Sequence, residues 1–239
     1  MITGIIIALS DEISSITNKK INTGDCIFIN DNTLVACSGA GPQNAAKASE
    51  LLIKKGAKRL ISWGCAAALS DCLISGDLVL PTHLQAENKK LISIKSPWHK
   101  HVKEQLTALK INTGLLTESS AIVTQSSAKR LINKQSNAIA LDMESIAVAQ
   151  TAKQHDLPVL VIRSIADPVW MSLPKAVSYS LDNQGEAVLN KLLWFLLTHP
   201  TELPGLIKLG IHFNAAKNKL KLVAKQLDKI VSFESKTNN

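Results

Sequence analysis

Four carboxyl side chains stand where an open α/β sheet does its chemistry. Glu12 follows a β-branched run at 3–9, within Ser10-Asp11-Glu12; Asp142 and Glu144 flank Met143 just past a run at 138–141; Asp167 follows the run at 158–166. A further segment of small residues, Gly64-Cys65-Ala66-Ala67-Ala68, follows the run at 59–63. Open α/β sheets bind ligands beyond the carboxyl ends of their strands, and carboxyl groups collected there can give or take protons.

Taken singly, each feature has a structural reading. Asp142 suits a helix N-cap and Glu144 the first turn, where the macrodipole favours a negative charge. Asp167-Pro168 can start a turn, and Glu12 can be a solvated loop acid. Ser38-Gly39-Ala40-Gly41-Pro42-Gln43-Asn44 suggests a phosphate cradle at a helix start. Asn44 replaces the third glycine of G-x-G-x-x-G and no Gly-Lys-Ser/Thr follows, so the dinucleotide and P-loop fingerprints both fail.

The elements that must position these residues are short apolar runs alternating with helical patterns. Strands are expected at 3–9, 33–37, 59–63, 77–80, 113–117, 121–124, 138–141 and 158–166. A helix over 42–55 has Pro42 at its first position and Gly56 past its end. Another runs from Asp142 to about His155, where Leu157-Pro158 halts it, and a third covers 184–198 with a Leu189, Leu192, Leu193, Leu196 stripe. The pattern predicts an α/β fold, a single domain with a central mixed, mostly parallel twisted sheet flanked by helices. Residues 1–199 form the expected catalytic domain, and 200–239 a basic amphipathic helical extension, in one helix or two over 205–231, packed on that domain or at a membrane surface.

Composition excludes several classes. The 239 residues are 46% hydrophobic, enough for a large core without disulfides or a metal. Cys26, Cys37, Cys65 and Cys72 show no C-x-x-C spacing and no zinc-spaced histidines, so we expect reduced thiols, no metal, no cofactor and a cytoplasmic protein. No run approaches the ~18 apolar residues of a membrane span. The net charge is +8, but Arg59, Arg130 and Arg163 are the only arginines, which argues against nucleic acid as a partner. From His199 onward seven lysines face three acids, so half the excess lies in the tail.

Together the motifs resemble the purine nucleosidase and nucleoside phosphorylase superfamily. Gly4-Ile5-Ile6-Ile7-Ala8-Leu9-Ser10-Asp11-Glu12-Ile13 resembles its opening, and Ser38 to Ala46 its glycine loop. Trp63-Gly64-Cys65-Ala66-Ala67-Ala68-Leu69 with Ser75-Gly76-Asp77-Leu78-Val79 resembles its substrate loop, Leu141-Asp142-Met143-Glu144-Ser145 its ribose motif, and Arg163-Ser164-Ile165-Ala166-Asp167 its last block. The resemblance spans residues 4–167 in order. It implies cleavage of an N-glycosidic bond, which passes through an oxocarbenium-like sugar and needs an acid at the departing purine. Asp167 matches that acid and Glu12 the base that deprotonates water. Glu144 is expected to hold the ribose hydroxyls, Met143 to wall the ring, and Gly64, Cys65 and Ala66 to line sugar and base; Ser126, in the turn 124–126, is the expected base contact.

Water is favoured over phosphate, because a phosphate nucleophile needs cationic forks. Ser62 stands where related phosphorylases carry an arginine, and none occurs in residues 1–58, where Lys19 and Lys20 are the nearby cations. Two departures from the family pattern are Ala67 and Ala68 in place of glycines, and Pro168 after the acid. Ile61 to Cys65, Leu173-Pro174 and Glu202 to Gly210 are most similar to the hopanoid-associated phosphorylase branch, which implies adenosylhopane as substrate. A tail helix with Leu206, Leu209 and Phe213 opposite its lysines would then rest on the inner membrane face. The resemblance also implies a homodimer or higher homo-oligomer. Alternatives are phosphorolysis of the same substrate, a methylthioadenosine/S-adenosylhomocysteine nucleosidase, and a non-catalytic nucleoside-binding protein.

Overall fold

The computed structural model describes residues 1–180 and 189–233. In chain order the elements are β1 (Thr3–Ile7), α1 (Ser10–Ile13), β2 (Cys26–Asn30), β3 (Thr33–Cys37), α2 (Pro42–Lys54), β4 (Arg59–Ala68), β5 (Leu78–Val79), β6 (His83–Gln85) and β7 (Leu91–Ser93). There follow α3 (Pro97–Gln105), β8 (Ile111–Asn112), β9 (Leu115–Glu118), α4 (Ser126–Ser136), β10 (Ala140–Asp142), α5 (Ser145–Gln154) and β11 (Val159–Asp167). The chain then runs through α6 (Lys175–Ser180), α7 (Leu189–Thr198), a 3-10 turn (Pro200–Glu202), α8 (Leu203–Ala224) and α9 (Leu227–Val231).

Among the described residues the strands form one mixed, mostly parallel sheet, ordered β2-β3-β1-β4-β10-β9-β6-β7, with β11 joining β4 to β5 and β5 joining β8. Its pivot is β4. The first half of this strand pairs in parallel with β1, its end pairs antiparallel with β10 at Ala67 and Ala68, and β11 runs parallel beside it. The carboxyl ends of β1, β10 and β11 therefore converge on the second half of β4.

Alternation along the strands builds the two faces. Ile5, Ile7, Val35, Ile61, Trp63, Leu160 and Ile162 pack with Leu220 and Val223 of α8 and Ile230 of α9. Ile6, Leu34, Ala36 and Leu60 turn the other way, onto Ala45, Ala48 and Leu52 of α2 and Val148 and Ala152 of α5. The carboxy-terminal segment is fastened to the first face. Trp98 Nε1 donates to the Ile230 carbonyl at 2.8 Å, and Arg59 Nη1 to that of Phe233 at 2.7 Å.

Several expectations change. Residues 121–124 are not a strand but a loop whose Ala121, Ile122 and Val123 line a cavity, so their apolar character serves a pocket wall. Strands β2, β6 and β7 and helices α3 and α4 were not anticipated; β2–β3 and β6–β7 are antiparallel hairpins, and β2 is half exposed. The basic helix over 205–231 divides at Lys225–Gln226. Residues 184–188 of the third expected helix, with Glu234 and Lys236 of the tail, lie outside the described residues. Among the described residues no helix is long and apolar enough to cross a membrane.

Candidate active site

Where the strand ends converge lies a cavity of about 780 Å³, within the range of small-molecule sites. Glu12, Gly41, Cys65, Ala66, Met143, Glu144 and Asp167 all line it, so five separated sequence blocks meet in one place.

Glu12 sits in α1, the single turn that ends β1, and is only 3% exposed. The backbone amide of Cys65 donates to its Oε1 at 2.7 Å, and that of Leu9 to its Oε2 at 3.4 Å. Burial pushes the carboxyl above its ordinary pKa, while the Arg163 guanidinium and the two amides pull it back. Gly64 lies beneath this carboxylate and is not part of the cavity lining. A Cβ here would stand 2.5 Å from Arg163 Nη1 and 2.7 Å from Glu12 Oε2, so only glycine allows the acid and the guanidinium so close to β4.

Arg163, on β11, is buried among the carboxylates. Its Nε donates to Asp142 Oδ2 at 2.6 Å and its Nη2 to Ser62 Oγ at 2.7 Å and Ser145 Oγ at 3.1 Å. Asp142 also does what a cap does: its Oδ1 accepts the amides of Glu144 (3.3 Å) and Ser145 (3.1 Å) at the start of α5. Glu144 Oε1 accepts the Gly41 amide at 2.9 Å, and Oε2 lies 4.0 Å from Arg163 Nη2. Gly41 has φ +95°, a conformation that glycine adopts without strain, and so the glycine loop serves to aim an amide at Glu144. Burial, and then the charge of Asp142, raise the Glu144 pKa to about 7 against the pull of Arg163 and Gly41. Three carboxyl groups thus share one guanidinium, and burial holds two of them, Glu12 and Glu144, above the ordinary carboxylate pKa.

Asp167 ends β11, where the register against β4 slips between Ile165 and Asp167; such irregularities re-aim side chains at functional edges. Sequence reasoning missed its partner. Lys129 of α4 is wholly buried, and its Nζ donates to Asp167 Oδ1 at 2.5 Å. Burial pushes Asp167 upward and the ammonium offsets part of that rise; burial likewise lowers Lys129. The available signal was helical spacing: Lys129 falls on one face of α4 with Ser126, Ile132, Asn133 and Ser136, a stripe facing inward.

The remaining sequence candidates divide. Ala67 lines the cavity, whereas Ala68 is buried outside its lining, paired with Ala140. Ser126 also stands outside the lining: its Oγ donates to the Val169 carbonyl at 2.7 Å. Burial and the nearby Glu12 push the Cys65 thiol well up. Leu209 and Phe213 of α8 form cavity wall, while the outward apolar positions of that helix are Leu203, Ile207, Ile211 and Leu222.

Comparison with known proteins bears on the family and the fold. A 5'-methylthioadenosine/S-adenosylhomocysteine nucleosidase of Staphylococcus aureus (strain JH9) is 27% identical over 199 residues, covering 69% of this chain and 85% of its own. Among solved structures, the enzyme of that name from Neisseria meningitidis, in complex with methylthio-immucillin-A, shares the fold with a TM-score of 0.70 at 20% identity, over 96% of this chain and 97% of that one. Futalosine hydrolase of Helicobacter pylori strain 26695 gives a TM-score of 0.69 at 18% identity over the same shares. The profile of the phosphorylase superfamily matches residues 15–187, most of the chain and most of the strands that build the cavity, so the protein belongs to that superfamily.

Proposed function

We propose that the protein hydrolyses the N-glycosidic bond of an adenine nucleoside bearing an apolar 5′ substituent. Water is the nucleophile. Glu12 takes a proton from it as its oxygen bonds to the anomeric carbon, the bond to the purine breaks, and Asp167 gives its own proton to the imidazole ring of the base so that neutral adenine leaves. Glu144 holds the ribose hydroxyls and steadies the positive charge growing on the sugar, with Met143 against the ring. The relatives named above, two nucleosidases and a hydrolase, support this chemistry.

The observation that carries the reading is the state of the one lining cation. Among the described lining residues Arg163 is the only lysine or arginine, and the Nε–Nη2 edge of its guanidinium already serves Asp142, Ser62 and Ser145. A phosphate dianion would meet Glu12, Asp142 and Glu144 with no free fork to hold it. Ser62, where related phosphorylases carry an arginine, is itself buried under that guanidinium.

An apolar 5′ substituent fits the rest of the wall, built from Ile122, Val123, Leu173, Val177, Leu209 and Phe213. Methylthio or polycyclic hydrocarbon groups suit it better than the charged amino acid of S-adenosylhomocysteine, because an uncompensated charge pays its full desolvation there. Adenosylhopane, in hopanoid biosynthesis, is the lipid-borne candidate. Trp170, Trp194, Leu197, Ile207 and Ile211 are exposed and Lys208 lies over the Trp170 ring, a composition suited to the membrane interface at which such a substrate would be met.

Chromatographic measurement of adenine release from methylthioadenosine, S-adenosylhomocysteine and adenosylhopane, with and without phosphate, tests both halves. We expect release without phosphate and a lower KM for the apolar substrates. Strict phosphate dependence, or preference for S-adenosylhomocysteine, would overturn the reading. Co-sedimentation with anionic vesicles, reduced by replacing Trp170 and Trp194, tests the membrane contact.

A further inference from the structure

The acid of the proposed reaction is supported by a buried cation that the reaction scheme does not use. Lys129 is wholly buried, and its Nζ donates to Asp167 Oδ1 at 2.5 Å, the Met171 carbonyl at 2.8 Å and the Pro168 carbonyl at 3.3 Å. An ammonium has three donors, and here all three have acceptors. The first turn of α4 and the loop before it add further ties to the same segment. Ser126 Oγ donates to the Val169 carbonyl at 2.7 Å, and the Leu173 amide donates to the Thr124 carbonyl at 2.8 Å. The stretch from Asp167 to Leu173, which carries the acid at one end and a piece of cavity wall at the other, is thus held along its length by α4 and the loop that leads into it.

We propose that Lys129 is a positioning residue for the acid: its ammonium holds the Asp167 carboxyl through Oδ1 and leaves Oδ2 to meet the departing nucleobase. A buried lysine is costly to desolvate, and a hydrophobic side chain of similar length would fill the same space without that cost. The charge therefore does something that packing alone does not. It compensates a carboxylate, and so determines how readily Asp167 parts with a proton: the stronger the ammonium's pull, the stronger the acid and the lower the pH at which it stands empty.

The other charged groups around this carboxyl are Arg163 on its own strand, Glu12 on α1, and Asp142 and Glu144 before α5, all lining the cavity. β4 brings Cys65, and α8, which packs on β11, brings Lys208, His212 and Lys217. Among the described residues, Lys129 is the one charged group bonded to Asp167.

The proposal rests on the acid role assigned to Asp167, and its test separates the two. Wild type, Lys129→Met and Lys129→Gln are compared in kcat and KM across pH. Asp167 is also titrated directly by carbon-13 NMR of aspartate-labelled protein, its signal assigned with Asp167→Asn. Without the ammonium the carboxyl keeps its proton to higher pH, so the alkaline limb of kcat and the NMR titration both move upward in the two variants. At neutral pH we expect Lys129→Met to lose about 10- to 100-fold in kcat from misplacement of the acid, with KM changed less than about threefold. The Gln variant, which keeps donors without charge, recovers part of kcat but not the pH limb. An NMR titration unmoved in both variants would overturn the proposal even if no nucleoside is cleaved, whereas a wild type that cleaves nothing while the titration moves would overturn the nucleosidase reading alone. A loss of kcat and melting temperature with an unchanged pH limb would reduce Lys129 to a structural residue.

Discussion

The Cys65 amide donates to Glu12 Oε1 at 2.7 Å, joining the end of β1 to the end of β4 at the carboxylate proposed to activate water. Glutamine can keep this bond through its carbonyl oxygen but cannot take a proton. Glu12→Gln should therefore fold normally, with an unchanged circular dichroism spectrum, and lose at least ~10²-fold in kcat. In the wild type the base must be ionised, and burial has raised its pKa, so the rate should climb with pH through a value above 4.5. A variant with wild-type turnover would remove Glu12 from the mechanism.

Gly64 touches no substrate in this reading, yet its replacement should be severe. The Cβ of Gly64→Ala would stand 2.5 Å from Arg163 Nη1 and 2.7 Å from Glu12 Oε2, and the two charged groups must part to admit it. We expect a loss in kcat on the order of 10²-fold, since displacement by ~1 Å has such effects, with the substrate still bound. Isothermal titration with an adenine nucleoside analogue alongside kinetics would separate the two; equal losses in binding and turnover would contradict the expectation.

Stability should fall as pH rises through neutrality. Glu144 has a pKa of about 7 in the fold against an ordinary 4.5, so the native state holds its proton more tightly than the unfolded chain. The stabilisation is complete below about 4.5 and is lost as pH climbs through about 7. Glu12 is shifted in the same direction, whereas His99 and His212, lowered by burial, act in the opposite sense. Scanning calorimetry of wild type and Glu144→Gln isolates the difference, since the other groups are common to both. The variant should show the flatter decline in Tm over this interval; parallel curves would contradict the assignment.

Asp167→Asn removes the proton that the departing base requires. We predict at least ~10²-fold lower kcat with a smaller change in KM, as befits an interaction made mainly in the transition state. Near-normal turnover would show that the base leaves without help from this residue.

The sheet and the site were legible to different depths. Glu12 and Asp167 could be placed together from sequence because each comes at the end of a patterned strand and parallel strands deliver their ends to one edge, whereas Glu144, beyond a strand antiparallel to β4, joined them through the resemblance of its motif. The helix at Pro42–Lys54 was legible from its proline and glycine punctuation. Residues 121–124 misled because a pocket wall and a strand ask for the same side chains. Lys129 was passed over despite its helical spacing, because a lysine reads as solvent-facing and its carboxylate partner lies 38 positions away on another element. The tail stripe at Leu209 and Phe213 was read correctly as apolar, but sequence could not say whether a helix turns such a stripe toward lipid or toward its own cavity.

One continuous helix, α8, walls the cavity at Leu209 and Phe213 and seals the interior at Ala216, Leu220 and Val223. It cannot swing aside as a door without tearing the close-packed interior behind it. The stretch of wall that α8 supplies is therefore a fixed jamb.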